Sequence, residues 1–209
     1  MAKSDGTYRF DTIPIMIKAV ILDFYGVLFS NFDWDVIEER IKSDSKKAER
    51  FEELKNQSNR GEITNRYLQT AVADLAGDAS HPQNPAVYPK PYFNHELIDY
   101  LTAIEPKLKI GLLSNGNRGD VERELDKNGR MKHLEAVITS SDHLFEKPLR
   151  EAYESMFKAL DVKPEEVVII DDSQRHVFAT NSYGFNSIHY FNEMDFESEF
   201  KRFLDEKPK

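Results

Sequence analysis

Two kinds of apolar pattern alternate along the chain. Short, nearly continuous apolar runs occur at Ile17 to Phe24 (IKAVILDF), Leu108 to Leu113 (LKIGLL) and Val167 to Ile170 (VVII). Shorter ones lie at Ala136 to Thr139 (AVIT) and Ser187 to Tyr190 (SIHY). Brief, partly β-branched runs of this kind predict strands buried on both faces, hence a parallel sheet covered by helices. Between them apolar residues recur at helical spacing. Tyr153, Met156, Phe157 and Leu160 fall at i, i+3, i+4 and i+7 after Pro148, and Phe196, Phe200 and Leu204 make a second stripe. Strand and helix in alternation predict a Rossmann-like, doubly wound α/β sheet.

From Asn31 to Phe93 the pattern changes. Val36, Ile37, Ile41, Phe51, Leu54, Leu68, Val72 and Leu75 sit at helical spacing, and no strand-like run interrupts them. The segment closes with HPQNPAVYPKP, whose four prolines favour extended chain over helix. This predicts a small helical cap over residues 31–93, inserted after the first strand of a core built from residues 1–30 and 94–209.

Composition removes several function classes. With 37 acids against 28 bases the net charge is −9, which argues against non-specific nucleic-acid binding. No apolar run reaches the length of a membrane span. The opening MAKSDGTYRFDTIPIM has no apolar signal region, so a cytoplasmic protein is expected. The absence of cysteine excludes disulfides, a thiol nucleophile and cysteine-bound metal.

Ligands of open α/β sheets bind outside the carboxyl ends of the strands, so the residues after each run are the candidate chemistry. The first run ends in Asp23, then Tyr25-Gly26. LKIGLL leads to Ser114-Asn115-Gly116-Asn117, AVIT to Ser140, Ser141, Asp142 and then Lys147-Pro148, and VVII to Asp171-Asp172-Ser173. Carboxylates converging on one edge raise one another's pKa unless a cation neutralises them, and hard oxygen ligands suit magnesium. A magnesium-bound anion held by Ser114 and Lys147, facing Asp23 as nucleophile, would make a phosphoryl-transfer site. Asp172 reads partly as a helix cap or lysine partner, His176 as a helix-face residue first and a residue lining the site second, and Tyr153 as core.

The ordered motifs DFYGVL, LLSNGN, EKP and IIDDS, with YGFNSIHY after them, resemble the haloacid dehalogenase-like (HAD) hydrolases over essentially the whole chain. RGEIT (Arg60 to Thr64) and the IHY ending are similar to a small bacterial phosphatase branch of that family. The resemblance implies Asp23, Tyr25 and Lys147 as catalytic residues and Ser114, Asn115, Gly116 and Lys147 as phosphate contacts. It implies magnesium on Asp23, the carbonyl of Tyr25 and Asp171, and a small-molecule substrate, a phosphate ester for choice. The departure is Tyr25. Phosphatases of the family carry a second aspartate there, which protonates the leaving alcohol, whereas tyrosine is similar to the 2-haloacid dehalogenases. Lys147 followed by Tyr153 is also similar to the dehalogenase arrangement, while Val27 and Asp171 are not. A dehalogenase and a non-catalytic module binding a phosphorylated ligand therefore stand beside the phosphatase reading.

Overall fold

The computed structural model of the chain describes residues 16–30, 32, 34–77, 90–142, 145–190 and 193–205. The first strand, β1 (Ala19–Leu22), is followed by β2 (Phe29–Ser30) and three helices, α1 (Trp34–Ile41), α2 (Ser45–Asn59) and α3 (Asn65–Leu75). The chain returns through β3 (Tyr92–Phe93) to α4 (His95–Thr102), β4 (Lys109–Ser114), α5 (Arg118–Lys127) and β5 (Ala136–Thr139). It ends with α6 (Arg150–Leu160), β6 (Val167–Asp171), α7 (Gln174–Ser182), β7 (Asn186–His189) and α8 (Glu193–Asp205).

The five apolar runs form one parallel sheet of order β5-β4-β1-β6-β7. The chain leaves β1 toward β4 and β5 on one side and toward β6 and β7 on the other. Direction thus reverses at the central strand, and that is where an α/β sheet opens a crevice. Side chains alternate across the sheet. Val20 and Leu22 join Ile110, Leu112, Val168 and Ile170 against Leu97, Ile98, Val121, Phe196 and Phe200 of α4, α5 and α8. Ala19 and Ile21 join Leu113, Ile138 and Ile169 against Tyr153, Met156, Phe157 and Leu160 of α6. The strands carry no polar alternation because helices cover both faces.

The three helices after β2 bury Phe32, Ile37, Ile41, Phe51, Leu54, Leu68 and Val72 in a cluster of their own. At their base lies an antiparallel ribbon that the apolar pattern does not reveal, pairing Phe29 with Phe93 and Ser30 with Tyr92. Two residues per strand are too few for a period of two to show. Asn94 locks this junction: its Oδ1 accepts the Leu97 N–H, capping α4, and its Nδ2 donates to Val27 O and the Tyr190 hydroxyl. Residues 1–15 and most of the proline-rich stretch (residues 78–89) lie outside the described residues. No helix among the described residues is long and apolar enough to cross a membrane.

Gly111 in β4 explains how closely α6 approaches the sheet. A Cβ placed there would stand 2.7 Å from Met156 Sδ and 3.0 Å from Leu160 Cδ1. Gly111→Val should therefore overpack this layer and destabilise the protein by about 1–3 kcal/mol, read as a lower urea midpoint at unchanged m-value.

Candidate active site

Register brings the candidate residues to one edge. Leu22 pairs with Leu112 and with Ile170, so Asp23, Ser114 and Asp171 emerge from three adjacent strand ends. Lys147 comes from the loop between β5 and α6 and is 3% exposed. Its ammonium donates to Asp23 Oδ1 at 2.8 Å and to Asp171 Oδ2 at 2.6 Å. Asn115 sets its position: the amide accepts the Lys147 N–H and donates to the Lys147 carbonyl, each at 2.8 Å. Asp171 is engaged further by the Ser173 N–H at 2.9 Å and by His176 Nδ1, which lies 3.0 and 3.1 Å from its two oxygens.

The electrostatics separate the two carboxyls. Burial pushes Asp23 up to about 7, with Asp171 and Asp172 adding to the shift and Lys147 opposing it. Burial would raise Asp171 too, but Lys147 and then His176 overcome it and hold that carboxyl well below the usual range. Burial would lower Lys147, and the same two carboxylates keep it raised. The clustered acids thus raise Asp23, while at Asp171 the neutralising cation that the sequence reading allowed for, Lys147, prevails with His176 beside it.

Tyr25 follows on the loop after β1. Its ring packs edge-on against Phe24 at 4.9 Å, and a Cβ on Gly116 would stand 3.3 Å from its Cε2. Burial pushes its phenol up, and the charge of Asp120 adds to this. Gly26 next to it has φ +85° and lies under Asp172, whose Oδ2 would stand 1.8 Å from a Cβ at that position. Only glycine combines this conformation with that approach. The Gly116 N–H is taken by Ser140 Oγ at 2.9 Å, whereas Ser114 Oγ is buried with no hydrogen-bond partner.

A family profile described as haloacid dehalogenase-like hydrolase matches residues 20–190, which spans every element of this edge. The chain belongs to that family. No curated protein matches the sequence. Among solved structures, a predicted HAD-like hydrolase from Porphyromonas gingivalis is similar at 21% identity and TM-score 0.62, covering 92% of this chain and all of that one. A magnesium complex of a HAD-family enzyme from Bacteroides thetaiotaomicron reaches TM-score 0.59 at 21% identity, over 88% of this chain and 98% of that one. An L-2-haloacid dehalogenase from Xanthobacter autotrophicus reaches 0.52 at 21% identity, over 89% and 83%. At these identities the structures establish the shared fold.

Within this HAD hydrolase, Asp23, Lys147 and Asp171 form one bonded cluster, with Tyr25 on the adjoining loop and Ser114 at the neighbouring strand end. Asn115 acts on Lys147, and RGEIT does not join the cluster. Arg60 pairs with Glu62, and both line a separate cavity of about 520 Å³ with Ser141 and Glu146. Sequence reading ranks His176 second as a site residue and passes over Asp120. His176 sits five positions after Asp171, and only the turn into α7 folds its ring back onto that carboxylate. Asp120 is buried in α5, where it accepts the Asn65 N–H at the start of α3 at 2.8 Å and binds Arg123. In sequence it is an ordinary first-turn acid.

Opposite outcomes are expected for the two carboxyls in metal-free protein. Asp171→Asn should destabilise by about 1.5–3 kcal/mol, the range for hydrogen bonds to charged groups. The loss stays below the roughly 3–5 kcal/mol of a fully orphaned buried charge because Asp23 remains beside Lys147. For Asp23 the folded value of about 7 exceeds the ordinary 3.8, so its stabilisation is complete below the lower value and is lost as pH rises through the upper one. Asp23→Asn should accordingly gain on wild type as pH is raised from about 4 to 8. Parallel stability profiles in urea titrations across that range would contradict the assignment.

Proposed function

We propose that the protein is a magnesium-dependent phosphomonoester hydrolase acting on a small phosphorylated metabolite, with residues 31–93 as its cap. The observation that carries this reading is the charge of the cluster: burial, with Asp171 and Asp172 adding to it, pushes Asp23 up to about 7 against the opposing Lys147 ammonium. Two buried carboxyls sharing one ammonium, with the exposed Asp172 beside them, offer hard oxygen donors that fit a divalent cation. Asp23 and Asp171, with the Tyr25 carbonyl, would hold magnesium, which supplies charge neutralisation for the transferring phosphoryl group. A carboxylate substrate without a metal would meet repulsion from the same acids. In the B. thetaiotaomicron enzyme a complex with magnesium and inorganic phosphate is known, at 20% identity and TM-score 0.53.

On this reading Asp23 attacks phosphorus, the bond to the alcohol oxygen breaks, and water then hydrolyses the aspartyl phosphate. Ser114 Oγ would donate to a phosphoryl oxygen, a role supported by its being buried and unpartnered, and Lys147 would offset the charge that develops there. The leaving alkoxide needs a proton. Tyr25 can donate one, but its phenol is pushed up by burial and is a poor base for activating water. Hydrolysis is therefore slow for alkyl phosphates. The dehalogenase reading keeps one support of its own: Tyr153 Oη is buried, unpartnered and under the influence of Lys147. Halide release in the presence of EDTA would put that reading first.

Three variants test the proposal. Asp23→Asn should abolish turnover, since an amide is a poor nucleophile. Tyr25→Asp restores an acid–base group, a contribution of about 10²–10⁴-fold, and should accelerate alkyl phosphates more than p-nitrophenyl phosphate. Tyr25→Phe should leave p-nitrophenyl phosphate hydrolysis nearly unchanged. No gain on any ester by a folded Tyr25→Asp protein would remove the missing-acid explanation.

A further inference from the structure

The cavity of about 520 Å³ has no role in the reaction just described. It lies between the C-terminal end of α2 and the loop joining β5 to α6, the loop that carries Lys147. Its volume is that of a small-molecule site.

The charges along its wall do not balance. Arg60 donates from Nε and Nη2 to the two oxygens of Glu62, and Arg118 Nε donates to Asp142 at 2.9 Å. Each of those acids has its cation. Glu146 is half-buried and makes no ion pair among the described residues. Its Oε2 accepts from Asn59 Nδ2 at 2.6 Å, and that donor is neutral. The charge of Glu146 acts on Arg60, but this guanidinium is already held by Glu62. One carboxylate on the wall is therefore left without a counter-ion.

The groups around Glu146 say what kind of cation fits. Asn56, one turn before Asn59 on α2, makes no side-chain hydrogen bond among the described residues, and neither does Asn59 Oδ1. Both are available as acceptors. The rim is apolar, with Phe145 42% and Leu149 47% exposed. An ammonium has three donors and no acceptor, which suits a wall rich in acceptors. An aliphatic stem would lie on Leu149 and Phe145, whose ring face also attracts a cation. An anion would meet Glu146 unshielded. A metal ion fits poorly, because no group of metal-binding side chains gathers here among the described residues.

We propose that this cavity binds a small primary ammonium compound, with Glu146 as its counter-ion and Asn56 and Asn59 as further acceptors. The bound cation touches α2 and the loop of Lys147 at once, and so ties the helical unit to that loop. The ammonium is either the far end of a molecule whose phosphate lies at Asp23 or that of a separate amine. Both present the same group to Glu146, and the assignment does not depend on the reaction at Asp23.

The experiment is calorimetry with n-pentylamine at neutral pH, beside n-pentanol and pentanoate as neutral and anionic controls of equal length. The amine should bind and the controls should not. Glu146→Gln, whose amide oxygen can still accept from Asn59, should weaken amine binding roughly 10- to 100-fold, as expected for a lost hydrogen bond between charged groups. Asn56→Asp adds a second carboxylate and should tighten it about five- to tenfold. No binding of the amine, equal binding of n-pentanol, or unchanged affinity in Glu146→Gln overturns the proposal. Should Glu146→Gln fail to fold, Asn56→Asp decides, and the absence of tightening overturns it. Titrating ω-aminoalkyl phosphates into Asp23→Asn protein separates the two sources. Binding tighter than the plain amine and competed by inorganic phosphate places the ammonium on the substrate; affinity no greater than that of the amine makes it a separate ligand. Wild type that binds the amine yet hydrolyses no phosphate ester leaves this inference standing and removes the phosphatase reading. Hydrolysis without amine binding does the reverse.

Discussion

The ammonium of Lys147 is the constraint on which the site depends. Taking a lysine and two aspartates out of water costs several kcal/mol per ion, and only close contact with hydrogen bonds offsets it. Here the contacts are 2.8 and 2.6 Å, and the lysine is 3% exposed. The bridge cannot form unless β1 and β6 are neighbours, because its two acids stand at the ends of those strands. It also requires the loop after β5 to cross over the end of β4, and Asn115 holds that loop by gripping the Lys147 backbone on both sides. The ion pairs tie two strand ends, and the Asn115 hydrogen bonds a third, to a loop that carries no regular structure of its own.

That network is asymmetric, and the asymmetry divides the labour. Asp171 receives Lys147, His176 and a backbone N–H, and stays ionised. Asp23 receives a share of Lys147 and the N–H of Phe24, and is raised by its burial. On the proposed phosphatase reading, Asp23 in that environment is held in check until added positive charge draws its proton off. The same cation that neutralises an incoming phosphate would complete the nucleophile, which couples substrate binding to activation.

The three-helix unit is joined to this edge by more than its two-stranded base. Asp120 in α5 caps the start of α3, Ser140 Oγ donates to the Asn59 carbonyl at 2.6 Å, and Asn59 donates to Glu146 at 2.6 Å. Gly61 lies so close to Ser141 that a Cβ there would stand 2.8 Å from its Cβ. Ser140 also accepts the Gly116 N–H, so one hydroxyl links the helical unit to the loop after β4. The charge nearest in effect to the Tyr25 phenol is that of Asp120, one of these same anchors.

Much of this was legible in the chain alone, for definite reasons. A strand buried on both faces must be apolar throughout, so VILDF, KIGLLS, AVIT and VVIID declare both their conformation and the parallel sheet that hides them. Their last residues are then forced to the carboxyl edge, which is why Asp23, Ser114 and Asp171 could be named from sequence. Other features have no local signature. The ribbon of Phe29 and Phe93 pairs residues far apart in the chain, in strands too short to show a period. Asp171 is held below Asp23 because His176 reaches it in addition to Lys147, and only three-dimensional distance decides that. His176 and Asp120 look like ordinary first-turn residues of helices. Composition and periodicity report how each segment meets water, and so they determined the sheet, its order of elements and the edge where the candidate residues gather. Which buried charges touch depends on crossing loops and helix entry angles, and tertiary structure alone decided it.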